Sequence, residues 1–294
     1  MILAIGEILA DLIGEDTSLK MFCGGAPFNV AVNAKQSGAK VGFIGKVGKD
    51  PVGKFLKEYS KNVGFDYLDI QTDSVRNTTL AFVTLSNGER DFAFFRHDTA
   101  DYNIDIKDID ITGYNIVHLG SLMLSEKEGR KFADSIVKMV KDAKKLLSFD
   151  VNFRMDLYSG LEDAIKAYKP YVESADILKF SDDEILDYTG KDNLEEAIKC
   201  VYKKDMLLLI TMGSKGSRYV YNGLSGVVPS TKKLTPIDTT GAGDAFFGTL
   251  LASLDGKEFT KENIESAMVK ANDKGAETTL FKGAVKLWKI LKNS

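Results

Sequence analysis

The chain has 294 residues, of which 44% are hydrophobic and 28% charged, and its formal net charge is −3. These proportions are typical of a globular protein with a sizeable core and argue against disorder as the main state. The lysines form no basic stripe, so we expect no binding to nucleic acid. Two distant cysteines, Cys23 and Cys200, exclude a disulfide framework or a zinc cluster.

The beginning of the chain argues against secretion. Residues 1–14 are mostly apolar but include Glu7 and Asp11, and they lack the basic segment and cleavage site of a signal peptide. The sequence contains no run of about 18 apolar residues, which a membrane span would need. We therefore expect no membrane association and a cytoplasmic location.

Short apolar strands alternate with helical patterns along most of the chain. Strands are predicted over residues 2–5, 41–44, 115–119, 146–150, 177–180 and 207–211. Helices are predicted over residues 27–37, 50–64, 126–145, 193–202 and 245–254. Gly38 would end the first helix, and Asp50 with Pro51 would begin the second. This alternation predicts an α/β fold with a mainly parallel sheet covered by helices on both faces.

A hairpin interrupts this alternation. Residues 78–85 and 90–96 resemble strands, and Asn87-Gly88 between them is a strong turn signal. An antiparallel hairpin cannot easily join a parallel sheet, so we predict a projecting flap, joined by the strand-like stretch 12–22. The flap is either a lid over a site or a decorative edge. Residues 216–221 predict a short antiparallel addition. The chain would be one domain, residues 1–294, with lid segments at 12–22 and 78–97.

The segment from Asp238 to Gly248, DTTGAGDAFFG, places small residues directly before an apolar helix. The N–H groups at such a helix start lack partners and carry the positive end of the helix dipole. Small residues let a phosphate approach these groups closely. Asp244, in the first turn, would then accept the proton of an attacking hydroxyl. An acidic residue favoured by the dipole alone is the alternative, and spacing does not decide between the two.

A second run of small residues, from Cys23 to Asn29, also precedes a predicted helix. The Asn29 amide offers a donor and an acceptor, which suits sugar hydroxyls, although a tight turn alone would explain the pattern. Gly48–Lys54 matches seven positions of a Walker A loop, but Phe55 follows where Ser or Thr must hold Mg²⁺. We therefore interpret that stretch as a helix entry.

Together these segments resemble the two signatures of the PfkB, or ribokinase-like, carbohydrate kinases. Residues 238–248 resemble the C-terminal signature, and residues 24–31 followed by Gly38, Gly45 and Gly48 resemble the N-terminal one. The resemblance extends over nearly the whole chain. It implies an ATP-dependent sugar kinase with a three-layer α/β/α sandwich and a small β-sheet lid.

The resemblance also implies roles for particular residues. Asp244 would be the catalytic base, and Gly241, Ala242 and Gly243 would form an anion hole. The contacts to the sugar would be Asp11, Gly25, Asn29, Arg96 and Arg154. For Arg96 and Arg154, a surface salt bridge is the alternative role.

ATP would bind in the C-terminal half of the chain. The implied nucleotide contacts are Thr211, Gly213, Gly216, Asn272 and Gly283. Glu184 would organise Mg²⁺ through water, although Ser181 stands where the family usually has Asn. A monovalent cation such as K⁺ would lie near Asp238 and Thr240.

Three stretches resemble the fructokinase branch of the family, namely residues 120–122, 148–154 and 94–101. A 2-keto-3-deoxygluconate kinase shares the arginines, which suit a carboxylate, but often adds lid tyrosines. Here Phe92, Phe94 and Phe95 favour a neutral ketose, fructose. A non-catalytic sugar-binding protein is a further alternative, against which the intact Asp244 segment argues. The phenylalanines also supply apolar surface for a homodimer through the lid.

Overall fold

The computed structural model describes residues 1–15, 18–86, 89–232 and 234–286, with the side chains of residues 15 and 84–92 left aside. The strands in chain order are β1 (Ile2–Ile5), β2 (Leu9–Glu15), β3 (Ser18–Gly24), β4 (Val41–Gly48), β5 (Tyr67–Asp73), β6 (Leu80–Ser86), β7 (Glu89–Phe95), β8 (Ile116–Leu119), β9 (Leu146–Asp150), β10 (Ile177–Ser181), β11 (Leu207–Thr211), β12 (Ser217–Tyr221) and β13 (Leu224–Val228). The helices are α1 (Ala26–Gln36), α2 (Pro51–Lys61), α3 (Lys127–Asp142), α4 (Leu161–Ser174), α5 (Asp182–Thr189), α6 (Leu194–Val201), α7 (Ala242–Leu254) and α8 (Lys261–Thr278).

Nine strands form the central sheet, in the order β13-β12-β11-β10-β9-β8-β1-β4-β5. All neighbours pair in parallel except at the β11–β12–β13 edge, which is antiparallel. The predicted mainly parallel sheet and the antiparallel addition are therefore confirmed. β5 was not predicted, because its YLDIQTD sequence is largely polar at the sheet edge, where one side meets water.

Alternate residues of each central strand enter two separate cores. In β1, Ile2 and Ala4 pack on α1, α2, α7 and α8, whereas Leu3 and Ile5 pack on α3, α4, α5 and α6. This period of two follows from the pleat of a strand that is buried on both faces. Burying each large side chain contributes about 1.5–3 kcal/mol, so the two cores hold the helices firmly on both faces.

The ends of the helices are set by local features of the sequence. The Asp50 carboxylate caps α2 by accepting a hydrogen bond from the Gly53 N–H at 2.8 Å, and Pro51 occupies the first turn. α3 ends at Asp142 rather than at residue 145, since Lys144 adopts φ +53° and cannot continue a helix. None of the helices in the described ranges combines the length and apolar character that crossing a bilayer requires.

A separate four-stranded sheet, in the order β3-β2-β6-β7, stands beside the main one. The strand-like stretch 12–22 belongs to two antiparallel strands of this sheet, β2 and β3, and β2 pairs with β6 of the flap. β6 and β7 pair antiparallel as predicted, although Asn87-Gly88 lies outside the described residues.

The topology determines where a ligand can bind. β1 lies between β8 and β4, so the chain leaves β1 toward one side and later returns to the other. In open parallel sheets, such a switch point opens a crevice at the carboxyl ends of the strands. The small sheet and the first turn of α7 both border this crevice.

Candidate active site

The start of α7 has the geometry of an anion-binding site. Gly241 precedes the helix with φ 74°, and a Cβ there would lie 2.5 Å from the Cβ of Ala284. Glycine is therefore required both by the backbone and by the close contact. The Ala242 N–H donates to Thr239 O at 3.3 Å, whereas in the described chain no group accepts from the N–H of Gly243 or Asp244. These two N–H groups are available to an anion.

Asp244 is held in the first turn of α7 by a neighbouring helix. The Asn29 Nδ2 donates a hydrogen bond to Asp244 Oδ2 at 2.8 Å. α1 and α7 can approach closely because Gly248 has no side chain. A Cβ at this position would overlap the carbonyl oxygen of Val30. Burial raises the pKa of Asp244 above its usual value, while the Asn29 hydrogen bond and the Lys179 ammonium oppose that rise. A raised pKa makes the carboxylate a better proton acceptor.

The first cleft, of about 1000 Å³, opens beside Asp244 at the carboxyl ends of the strands. Four of the five predicted sugar contacts line it, together with all but Ala242 of the predicted catalytic segment: Asp11, Gly25, Asn29, Arg154, Gly241, Gly243 and Asp244. Leu9 of β2 and Phe94 of β7 line it from the small sheet. The small sheet therefore covers the cleft, as a lid would.

Arg96 is not in the wall of the first cleft as the described residues form it. Its guanidinium is buried, donating from Nε to Asp101 Oδ2 at 2.9 Å and from Nη1 to Ser125 Oγ at 2.5 Å. Asp101 also accepts a hydrogen bond from Thr79 Oγ1 at 2.5 Å. Because Thr79 precedes β6 and Arg96 follows β7, this ion pair anchors the base of the small sheet.

The second cleft, of about 930 Å³, lies on the other side of the α7 start. Four of the predicted nucleotide contacts line it: Thr211, Gly213, Gly216 and Asn272. Ala242 lines it as well. Gly283 does not line this cleft, and its N–H donates a hydrogen bond to Asp238 Oδ2 at 2.9 Å. Thr239 and Gly243 belong to both walls, so the two clefts meet at the start of α7.

Glu184 forms the capping box of α5. Its Oε2 accepts from the Ser181 N–H at 2.8 Å, and its Oε1 accepts from the Phe153 N–H at 3.0 Å. The Ser181 hydroxyl accepts in return from the Glu184 N–H at 3.2 Å. Serine here is thus a good helix cap. In the described ranges, no three acidic, histidine or cysteine side chains cluster as a metal site would require.

Asp238 and Thr240 lie together, as the predicted cation site requires. Asp238 Oδ1 accepts from the Thr240 N–H at 2.7 Å, and the Asp238 side chain is buried. The hydroxyl oxygen of Thr240 is buried without a hydrogen-bond partner among the described groups. Such an oxygen is a candidate cation ligand.

The sequence analysis gave no role to two features of the first cleft, the Lys179–Asp150 pair and Glu7. Lys179 is buried, and its Nζ lies 2.8 Å from both carboxylate oxygens of Asp150, its partner in the β10–β9 register. Burial raises the pKa of Asp150 above its usual value, whereas the Asp150 carboxylate raises the pKa of Lys179 against the effect of burial and so favours the charged lysine. A lysine inside the apolar strand ILKFS, covered on both faces, was the available signal.

Glu7 is the other buried charge that the sequence analysis did not assign. It lines the first cleft, is 2% exposed, and its Oε2 has no hydrogen-bond partner among the described groups. Burial raises the pKa of Glu7 to about 7. Its position in the apolar run before β2 was the signal, since an unpaired carboxylate is seldom buried without a function.

Comparison with known proteins agrees with this geometry. A family model described as pfkB family carbohydrate kinase matches residues 1–288. Probable fructokinase-5 of Arabidopsis thaliana is 36% identical over 302 residues, covering 97% of this chain and 93% of the relative. A fructokinase from Vibrio cholerae O395, in a form with fructose, ADP and calcium, has a TM-score of 0.89 and 30% identity, covering 96% and 94% of the two chains. A sugar kinase from Pyrococcus horikoshii in complex with ATP has a TM-score of 0.85 and 33% identity, covering 100% and 98%.

Proposed function

The chain belongs to the pfkB family of carbohydrate kinases, and we propose that it transfers the γ-phosphoryl group of ATP to a hydroxyl of fructose. The observation that carries this proposal is the meeting of two clefts at Gly243, with Asp244 on one side. Phosphoryl transfer needs an acceptor and a donor in line across such a point. Curated relatives and solved neighbours named fructokinase support fructose as the acceptor.

The chemistry follows from the position of Asp244. The sugar hydroxyl lies in the first cleft against the carboxylate, which takes its proton as the oxygen attacks the γ-phosphorus. The bond to the bridging oxygen breaks, and the electron pair leaves with ADP in the second cleft. The N–H groups of Gly243 and Asp244 stabilise the charge of the group in transfer. The small sheet closes over the sugar and excludes water, which would otherwise compete as the acceptor.

The charges of the first cleft support a neutral sugar. Four carboxyl groups, those of Glu7, Asp11, Asp150 and Asp244, line it against only Arg154 and Lys179 on the basic side. Asp150 already neutralises the Lys179 ammonium. A sugar acid would bring a further negative charge into this set, which costs free energy when burial weakens solvent screening. Since Arg96 is occupied by Asp101, a 2-keto-3-deoxygluconate acceptor lacks the arginine pair that would bind its carboxylate.

We include two cations in the proposal. Mg²⁺ enters with ATP, and when bound it supplies positive charge that offsets the charge of the phosphates. Glu184 would hold it through water, because both of its carboxylate oxygens already accept hydrogen bonds. The partnerless Thr240 hydroxyl supports a monovalent cation such as K⁺ beside Asp238.

Assembly and location are proposed on the same basis. Leu19, Met21 and Phe95 are 54%, 40% and 60% exposed, on the face of the small sheet opposite the cleft. A second copy of the chain would bury this apolar face, which favours a homodimer through the lid. A single domain with that lid and a cytoplasmic location stay predictions.

The experiment that tests the function is ATP-dependent ADP formation with Mg²⁺ across several acceptors. Fructose, 2-keto-3-deoxygluconate, ribose, glucose and adenosine are compared, with Asp244→Ala beside the wild type. We expect turnover with fructose that is lost in the variant, while calorimetry shows intact ATP binding. Turnover with the sugar acid instead would replace the acceptor. Sugar binding without turnover would make the protein a non-catalytic sugar binder.

A further inference from the structure

Lys179 lies where the two clefts meet. Its side chain leaves β10 on the face covered by α7, and a Cβ placed on Gly243 would be 3.3 Å from Lys179 Nζ. The ammonium therefore lies against the first turn of α7. Gly243 is in the wall of both clefts, so the ammonium lies beside the path between donor and acceptor.

The Lys179 ammonium adds its positive charge to that of the helix start, so an anion between them would be attracted by both. The N-terminal end of a helix carries partial positive charge, and a cation beside it is repelled. Asp150 offsets the charge from the other side, but it engages two of the three ammonium donors through its two oxygens. In the described chain, no other group accepts from Lys179 Nζ, just as none accepts from the N–H of Gly243 and Asp244.

Among the described contacts, Asp244 accepts no hydrogen bond from the Lys179 ammonium. Its carboxylate is bonded to Asn29 at 2.8 Å, and among the described ion pairs Lys179 pairs with Asp150 alone. The start of α7 therefore brings three donors close together: the ammonium from the sheet and two N–H groups from the helix. Donors on both sides fit the oxygens of a phosphoryl group that moves between the clefts.

On the basis of the proposed function, we propose that Lys179 is a catalytic residue that binds the phosphoryl group in transfer, and that Asp150 is its positioning residue. Lys179 keeps all three protons throughout. The bond between the γ-phosphorus and the bridging oxygen breaks, its electrons stay on ADP, the sugar oxygen forms the new bond, and its proton goes to Asp244. The ammonium binds the oxygens of the γ-phosphoryl group that take part in neither the breaking nor the forming bond.

The pairing with Asp150 explains how a buried lysine can do this. An isolated ammonium in the interior tends to lose its proton, which would remove the charge. The carboxylate of Asp150, opposite it in the register, keeps it protonated and fixes Nζ within reach of Gly243. Neutralising Asp150 alone should therefore reduce the stabilisation that Lys179 gives to the transferred group, because Nζ would no longer be fixed beside Gly243.

The test uses the neutral pair Lys179→Met/Asp150→Asn, which avoids a lone buried charge. We expect kcat with fructose to fall about 10²–10³-fold, the loss typical of removing one donor to transition-state charge. Binding of fructose and of ATP should change little. Affinity for ADP with aluminium fluoride, a planar mimic of the transferred group, should fall as kcat does. If Lys179 had only a structural role, the affinities for fructose, for ATP and for ADP with aluminium fluoride would all fall together.

Lys46→Met is the matched control. Lys46 is partly buried, with 16% of its side chain exposed, and its Nζ lies 3.8 Å from Asp73, away from both clefts, so its loss should lower stability but not kcat. If the double variant does not fold, Lys179→Gln keeps a donor to Asp150 without the charge and should show the same loss. Unchanged kcat in a folded variant would overturn the proposal. Wild-type turnover reports on the proposed function separately, because each variant is scored relative to it.

Discussion

The two clefts that meet at Gly243 differ in the chemistry of their walls. Among the described residues, six ionisable side chains line the first cleft, whereas Lys232 is the one ionisable side chain among the glycines, small residues and apolar groups of the second. Charged walls recognise directional hydrogen-bonding groups, and the acceptor hydroxyl is also where a proton must be removed. Backbone and apolar walls recognise shape, which suits a flat base. Substitutions in the two clefts should therefore act on different kinetic constants.

The largest expected effect is that of Asp244→Asn in the first cleft. Removing the base should lower kcat about 10²–10⁴-fold while the KM for ATP changes little. The wild-type kcat/KM should fall as pH drops through the pKa of Asp244, and at a higher pH than for an exposed aspartate, because burial raises that pKa. A pH–rate profile checks both.

The stability of the same variant gives the control. A carboxyl with a raised pKa stabilises the fold below its unfolded pKa, and that contribution is lost as pH rises through the folded pKa. Asp244→Asn should therefore unfold at a higher temperature than the wild type at neutral pH. Retained activity would remove Asp244 from its role as base.

The next effect concerns the lid base rather than either cleft. Arg96→Met leaves Asp101 buried without its partner and should cost about 3–5 kcal/mol of unfolding free energy. Lys138→Met, at a pair with Asp142 whose side chains are 76% and 65% exposed, should cost less than about 1 kcal/mol. Urea unfolding measures the difference. Equal losses would show that the buried pair is not the anchor of the small sheet.

Glu7 tests the charge of the first cleft by pH. Its folded pKa of about 7 lies above the unfolded value of 4.5, so its contribution to stability is complete at low pH and is lost as pH rises through 7. Relative to the wild type, the free energy of unfolding of Glu7→Gln should rise by about 3 kcal/mol as the pH increases from about 4 to about 8. Parallel stability curves for the two proteins would contradict the assigned burial effect.

In the second cleft, Asn272→Ala tests whether ATP binding depends on a wall that is held in place by hydrogen bonds. The Asn272 amide donates to Val228 O at 2.9 Å, so its loss leaves a buried carbonyl unsatisfied and should cost about 1–3 kcal/mol. We expect a higher KM for ATP, with kcat at saturating ATP and the KM for fructose unchanged. Lys270→Ala, at an exposed position of α8 outside the cleft wall, should leave both constants as they are. A changed KM for fructose would contradict the expectation that the second cleft binds ATP and not the sugar.

The smallest effect is expected at the lid. Phe94→Ala removes apolar contact from the first cleft and should raise the KM for fructose by roughly tenfold or less, in keeping with about 1 kcal/mol for a partly buried ring. Phe95→Ala, on the opposite face and 60% exposed, should leave that KM unchanged. Equal effects would mean that the lid acts through its fold and not through contact.

Several parts of the site follow from the sequence because they are local. A helix that begins after Thr239-Thr240-Gly241 has its unpaired N–H groups, its dipole and Asp244 within one turn, whatever surrounds it. The capping of α2 by Asp50 and the flap strands are equally local. The strand–helix alternation is a property of short windows, so the mainly parallel sheet was also predictable.

The tertiary structure decided what depends on register and packing. Lys179 meets Asp150 because β10 pairs with β9 in one register, and a shift by one residue would turn Lys179 to the other face. Arg96, predicted to reach the sugar, turns to Asp101 since a buried guanidinium pairs with the nearest carboxylate that can compensate its charge. The meeting of the clefts at Gly243 likewise requires α1, α7 and β10 to pack together, and no window of the sequence contains all three.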